Sequence, residues 1–298
     1  MASFLLFLIA TGSLAAATCA FTPAFKRPHR GAKKVQVYQG LAEPTSGNAA
    51  PLAFISELEV NTDGTRISYK VDDPHASHGA INDIRYALNP GMTAADFLKV
   101  AKQNWEPLDQ TWRVLSPSVI ERDSKTGKPC IGPDNYLVSM TADVSRAGAF
   151  DRQGDCDQTK WIDALTIPAL VLPSNSQFQK LDAKTRNFVV VMTLESPTRF
   201  AYGIVGDTGP EDKIGEASVE MNRILNGLPP GSVPSGGQDA IDRFQGPRSL
   251  ILIFPGPQNR LPYPVTPDRV ANQAKARFEA WGGEARMSAC AAELAGSH

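Results

Sequence analysis

An excess of either charge is missing from this sequence: 30 Lys and Arg stand against 31 Asp and Glu, well interspersed, for a formal net charge of −1. That excludes the basic footprint by which proteins hold nucleic-acid phosphates, so nucleic acid is not an expected partner. Long apolar runs are missing too. The run from Phe4 to Ala10 falls far short of the roughly 20 residues a spanning helix needs, and no stable membrane insertion is expected. Cysteine is scarce, at four residues, with no CxxC and no His/Cys cluster at ligand spacing, which removes a structural zinc. Histidine is equally scarce. His75 and His78, at i and i+3 in DDPHASHG beside Asp72 and Asp73, could bind a metal, but a solvated turn is the simpler reading; His29 and His298 lie near the chain ends. No GxSxG is present, so a serine-hydrolase elbow has no motif. Gly236-Gly237 is followed by no P-loop lysine and reads as a loop. No cofactor is implied.

What is present begins with MASFLLFLIATGSLAAATCA, uncharged and apolar and ending in small residues, which reads as a signal peptide over 1–20 despite the lack of a positive start. Export places the chain in the extracellular space or periplasm. Thr18 leaves Cys19 in a poor context for lipidation. Loss of Cys19 with the signal would leave Cys130, Cys156 and Cys290, with Cys130–Cys156 the expected disulfide and Cys290 the free thiol. Residues 21–51, rich in Pro, Gly, Lys and Ala, read as a flexible leader. Residues 52–298 read as a single β-rich domain, monomeric. It opens with two strand-like runs around Thr62-Asp63-Gly64, a hairpin signal. Further strands are expected at Tyr136 to Val144, Leu165 to Pro173, Asn187 to Glu195, Phe200 to Asp207 and Ser249 to Gly256. Helices are expected after an N-cap at Thr93, from about Ala217 to Asn226, and at about Pro267 to Trp281. The fold class is mainly β, a barrel or sandwich with a few peripheral helices.

Two acids stand out in YGIVGDTGPEDKIGEAS. Asp207 follows an apolar run and should sit where a strand leaves the sheet; Glu216 comes nine positions later, just before a helix. Glycoside hydrolysis uses such a pair, one carboxyl to protonate the departing oxygen and the other to activate water or attack the sugar. The competing reading makes Asp207 a turn acid and Glu216 a complement to the helix dipole. That dipole favours an ionised Glu216, whereas a general acid needs a raised pKa, so the two roles stay open. A second cluster, DRQGDCDQTKWIDAL, holds Asp151, Asp155, Asp157 and Asp163 beside Trp161. Asp155, Asp157 and Trp161 could bind a cationic sugar chain by ion pairing and stacking, with Tyr202 a further candidate substrate contact; calcium binding or a plain polar loop are the alternatives.

In this order GDCDQ, the Asp163 to Pro173 segment, YGIVGDTGP and GEAS resemble the family-75 glycoside hydrolases, the chitosanases, over roughly Tyr136 to Phe254. The resemblance implies Asp207 and Glu216 as catalytic carboxylates and endo-acting, inverting cleavage of chitosan or a related amino-sugar polysaccharide. GDTGP is also similar to a double-psi β-barrel signature, which implies a double-psi-like β-barrel with an exposed groove. Pro210 and the segments Leu52 to Asn89 and Pro257 to His298 depart from both patterns, which leaves substrate choice open. Two other classes keep the same groove: a non-catalytic cell-wall polysaccharide binder, and a peptidoglycan lytic enzyme that needs only one acid.

Overall fold

The computed structural model describes residues 19–29, 33–42, 49–144, 154–211 and 213–296. Residues 1–18 of the expected signal segment, Asp151 of the acidic cluster and His298 lie outside the described residues. The strands are β1 (Thr22–Pro28), β2 (Lys34–Gln39), β3 (Leu52–Asn61), β4 (Tyr69–Lys70), β5 (Tyr136–Leu137), β6 (Ala169–Pro173), β7 (Phe188–Thr193), β8 (Phe200–Gly209), β9 (Glu216–Ser218) and β10 (Gly246–Ile253). The helices are α1 (Ala94–Lys102), α2 (Leu108–Val114), α3 (Gln177–Lys180), α4 (Val219–Asn226), α5 (Gly237–Phe244), α6 (Pro267–Trp281) and α7 (Gly283–Ala295).

Six strands close a barrel in the order β3-β10-β7-β8-β6-β9, with β9 returning to β3. β6–β8 and β3–β9 are parallel and the other four pairs antiparallel. Alternation along the strands gives two cores. Phe54, Leu170, Val189, Val191, Val205, Ala217 and Ile251 form one buried cluster, into which α4 sends Met221 and Leu225. The alternate residues Ala53, Ile55, Val190, Met192, Ile204 and Leu252 form the other, covered by Val270, Ala274 and Phe278 of α6. Wall residues buried on both faces explain why the stretch FVVVM of β7 is apolar without a break. Helix α4 touches β3, β6, β8, β9 and β10, ends on Gly227 in the left-handed conformation (φ +67°), and closes one end of the barrel.

Three expectations are corrected. Within residues 21–51, expected as a flexible leader, β1 and β2 pair antiparallel and add to β3, with Phe25 edge-on to Phe178 at 5.1 Å. The period-two pattern Val35-Gln36-Val37 carries this packing, although lysines and prolines around it dominate the composition. The Thr62-Asp63-Gly64 turn does not fold a hairpin back onto β3, because β2 and β9 occupy one edge of that strand and β10 the other. The chain instead enters an insertion, and Tyr69 pairs with Leu137. Within Tyr136–Val144 only β5 is regular, and it belongs to this two-stranded pair rather than the barrel. The insertion has its own core, in which Tyr69, Ile84, Phe97, Val100, Trp105, Leu115 and Leu137 pack together.

Cys130 and Cys156 form a disulfide. Cys290, expected as a free thiol, is instead joined to Cys19 by a second disulfide, which ties the start of the described chain to α7. Bonds of this kind persist in oxidising compartments. Among the described residues no helix is long and apolar enough to cross a membrane. Helix α1 opens on the expected cap: Asp96 N–H donates to Thr93 Oγ1 at 3.2 Å, and Thr93 N–H donates to the Asp96 carboxylate at 2.9 Å. Thr93→Ala is expected to cost about 1 kcal/mol of stability, measured by urea unfolding.

Candidate active site

β6 organises the site. Val171 pairs with Asp207 of β8 on one edge and with Glu216 of β9 on the other. The two acids therefore share one row, two strand spacings apart, or about 10 Å between backbones. Their aim has a local cause. Leu170, Val205 and Ala217 belong to the interior cluster, so alternation turns Val171 and Glu216 outward. On β8 strict alternation would turn Asp207 inward with Val205. A register shift between Leu170 and Val171 makes Gly206 an extra residue and carries Asp207 to the outer row.

Outside this row lies a cleft of 1090 Å³, floored by Asp207, Glu216 and Lys213 and walled by Asp63 and Asn82 of the insertion and by α5. Gly215, at φ +92°, lets the chain run against β3: a Cβ there would lie 2.7 Å from Ser56 Oγ and 2.9 Å from Glu57 O. Gly215 O accepts from Glu59 N–H at 2.7 Å, which seats Glu216 opposite Glu59. Lys213 Nζ bridges these two carboxylates, 2.8 Å from Glu59 Oε2 and 2.5 Å from Glu216 Oε1. Burial works against the Lys213 ammonium, but Glu216 and Glu59 outweigh it and hold its pKa above the ordinary value. Glu216 lies in a strand, and the N-cap of α4 is Ser218, whose hydroxyl accepts from Met221 N–H at 3.2 Å. The partner of Glu216 is thus Lys213, and the helix dipole matters less than its sequence position implies.

Asp207 is in a different setting. Thr208 N–H donates to its Oδ1 at 2.8 Å. Burial, reinforced by the charges of Asp63 and Glu216, nevertheless pushes its carboxyl well above the usual carboxylate range. Asp63, which the sequence offers only as a turn residue, joins the site. Tyr69 O–H donates to Asp63 Oδ1 at 2.7 Å, and Asn82 Nδ2 donates to the Tyr69 hydroxyl at 2.9 Å. Burial pushes Asp63 up to about 7, the Tyr69 hydroxyl pulls against that, and Glu216 adds to it. Asp63, Tyr69 and Asn82 were invisible to sequence reading because the insertion that carries them has no barrel periodicity. Lys213, three residues before Glu216, carried the better signal.

The structure brings Asp207 and Glu216 together and leaves the other candidates elsewhere. Trp161 is buried, with Nε1–H donating to Glu121 Oε2 at 3.0 Å. Asp155 Oδ1 is 2.5 Å from the buried Lys160 Nζ. Asp157 caps a short 3-10 turn, accepting from Thr159 N–H at 2.9 Å. Asp157 and Trp161 line a separate hollow of 770 Å³ with Tyr136 and Val265. Tyr202 packs against Phe278 of α6, ring centroids 5.9 Å apart, on the helix-covered side of the barrel. Among the described residues no group of three or more His, Cys, Asp or Glu is arranged to hold a metal ion. No protein-family model matches this chain, and no curated protein does either.

Proposed function

We propose that this protein is an exported, endo-acting glycoside hydrolase that cleaves chitosan or a related amino-sugar polymer with inversion. The observation that carries the reading is the shared register of Asp207 and Glu216 across Val171. A backbone separation of about 10 Å suits the carboxyl spacing of about 6.5–9.5 Å that leaves room for a water between acid and base. The environments divide the roles. Asp207, whose burial favours the protonated form, donates its proton to the leaving oxygen as the glycosidic C–O bond breaks. Glu216, ion-paired with Lys213, accepts a proton from the water whose oxygen bonds to the anomeric carbon. Water is consumed, and solvent restores the proton on Asp207 and removes that on Glu216. Glu59 and Asp83 on the cleft walls add negative charge suited to a cationic chain. The two parallel pairs in an otherwise antiparallel six-strand barrel support a double-psi-like topology.

Incubation with chitosan, chitin and peptidoglycan side by side, read by product mass, tests the proposal. Internal cleavage of chitosan with water added to each new end is the expected result. Retention on polymer without any change of length identifies a binding protein instead, and an anhydro end on peptidoglycan fragments identifies a lytic enzyme; either result overturns it.

A further inference from the structure

Asp63 is held in the cleft by more than its own turn. It lies two residues after Asn61, the last residue of β3, which pairs with Ser218 of β9, and Asn61 Oδ1 accepts from Asp63 N–H at 3.0 Å. The next residue, Gly64, has φ +85°, and a Cβ there would lie 1.9 Å from Ile162 O, so the chain has one path past this point. The carboxylate is then fixed from the far side by the fully buried Tyr69, itself fixed by Asn82. An elaborate tether on a carboxylate that lines the same cleft as Asp207 calls for a role.

Resting on the hydrolase reading above, we propose that Asp63 is a positioning residue: its tethered negative charge keeps the proton on Asp207 and so makes Asp207 the acid of the pair. The charged and titratable groups that face Asp63 are Tyr69 from β4, Asp207 from β8 and Glu216 from β9, the last joined to Lys213 and Glu59. His75, Asp83 and Arg85 stand on the same cleft wall. Of the two half-buried aspartates, Asp63 alone accepts a hydroxyl bond from Tyr69, so it ionises before Asp207 as pH rises. Once charged, it opposes a second negative charge on Asp207, as in any close pair of carboxyls. Asp63 touches no leaving group and transfers no proton to substrate; it acts through Asp207.

Asp63→Asn keeps the size of the side chain and removes the charge. The alkaline limb of the kcat profile on chitosan is expected to move to lower pH by about one unit or more. At the pH of highest activity kcat should stay within about tenfold of wild type, less than the loss expected of a proton donor. Tyr69→Phe, which removes the donor that favours ionised Asp63, should move the limb in the same direction by less. An unmoved limb, a shift to higher pH, or loss of activity at every pH in a folded Asp63→Asn protein overturns the proposal. A second readout does not depend on turnover. With 13C-labelled aspartate, the Asp207 carboxyl should titrate at lower pH in Asp63→Asn than in wild type, and an unchanged titration again overturns the inference. If wild type cleaves none of the three polymers while the Asp207 titration still moves, the hydrolase reading fails and the coupling of Asp63 to Asp207 stands.

Discussion

Asp207→Asn and Glu216→Gln are each expected to lower kcat on soluble chitosan by about a hundred- to ten-thousandfold, with KM changed far less. The first removes the only proton the row can give to a leaving oxygen; the second removes the acceptor for the proton of the attacking water. Steady-state release of reducing ends checks both, and full activity in either variant refutes the pairing. Stability separates this loss from misfolding. Asp63 and Asp207 hold protons to higher pH in the folded chain than in the unfolded one. The native state therefore binds the more protons, and its stability falls as pH rises from the ordinary carboxylate range through the folded values. Replacing Asp207 by an uncharged amide removes part of that penalty. Asp207→Asn should melt at the same or a higher temperature than wild type at pH 7, without that gain at pH 4. A variant that is inactive and melts lower at pH 7 would point to a structural role instead.

Glu121→Ala is expected to cost about 3–5 kcal/mol of stability, the largest loss foreseen away from the cleft. The Glu121 and Lys160 side chains are both fully buried and ion-paired through Glu121 Oε1 and Lys160 Nζ. The same carboxylate accepts from Gly154 N–H at 2.6 Å and from Trp161 Nε1–H at 3.0 Å. Removing it takes from Lys160 a fully buried carboxylate partner and from Gly154 and Trp161 the acceptor of their N–H groups, with Asp155 remaining beside the ammonium. Urea unfolding measures the loss. A double replacement by apolar residues, Glu121→Leu with Lys160→Met, should recover part of it, because no unpaired charge is then left behind. A loss below about 1 kcal/mol for Glu121→Ala would show that this pair is exposed to water in solution. This network is also why DCDQTKW resembles a ligand-binding cluster in sequence. Acids and an aromatic close together read the same whether they face a sugar or an internal lysine.

Local chemistry alone determined the elements whose signal lies within a few residues. Thr93 with Asp96 marks the start of α1, Gly227 the end of α4, and the stretch Pro267–Trp281 is the whole of α6. The apolar runs around Val190, Val205 and Leu250 are barrel strands because β-branched and aromatic residues bounded by turn residues have few other ways to be buried. Asp207 was legible as an acid at the end of such a run, and Glu216 as an acid just before the start of a helix. Tertiary structure decided what pairing over long separations controls. β1 and β2 exist as strands because β3 offers an edge, not because their composition demands it. Cys19 reaches Cys290 across a sequence separation of 271 residues, a proximity no local pattern records. The register about Val171 puts the two acids in one row, and the closed edges of β3 send the chain into the insertion, where Asp63 lines the same cleft as Asp207. Sequence supplied the two carboxyls; the environment of Asp207 and the placing of Asp63 in the same cleft are products of the fold.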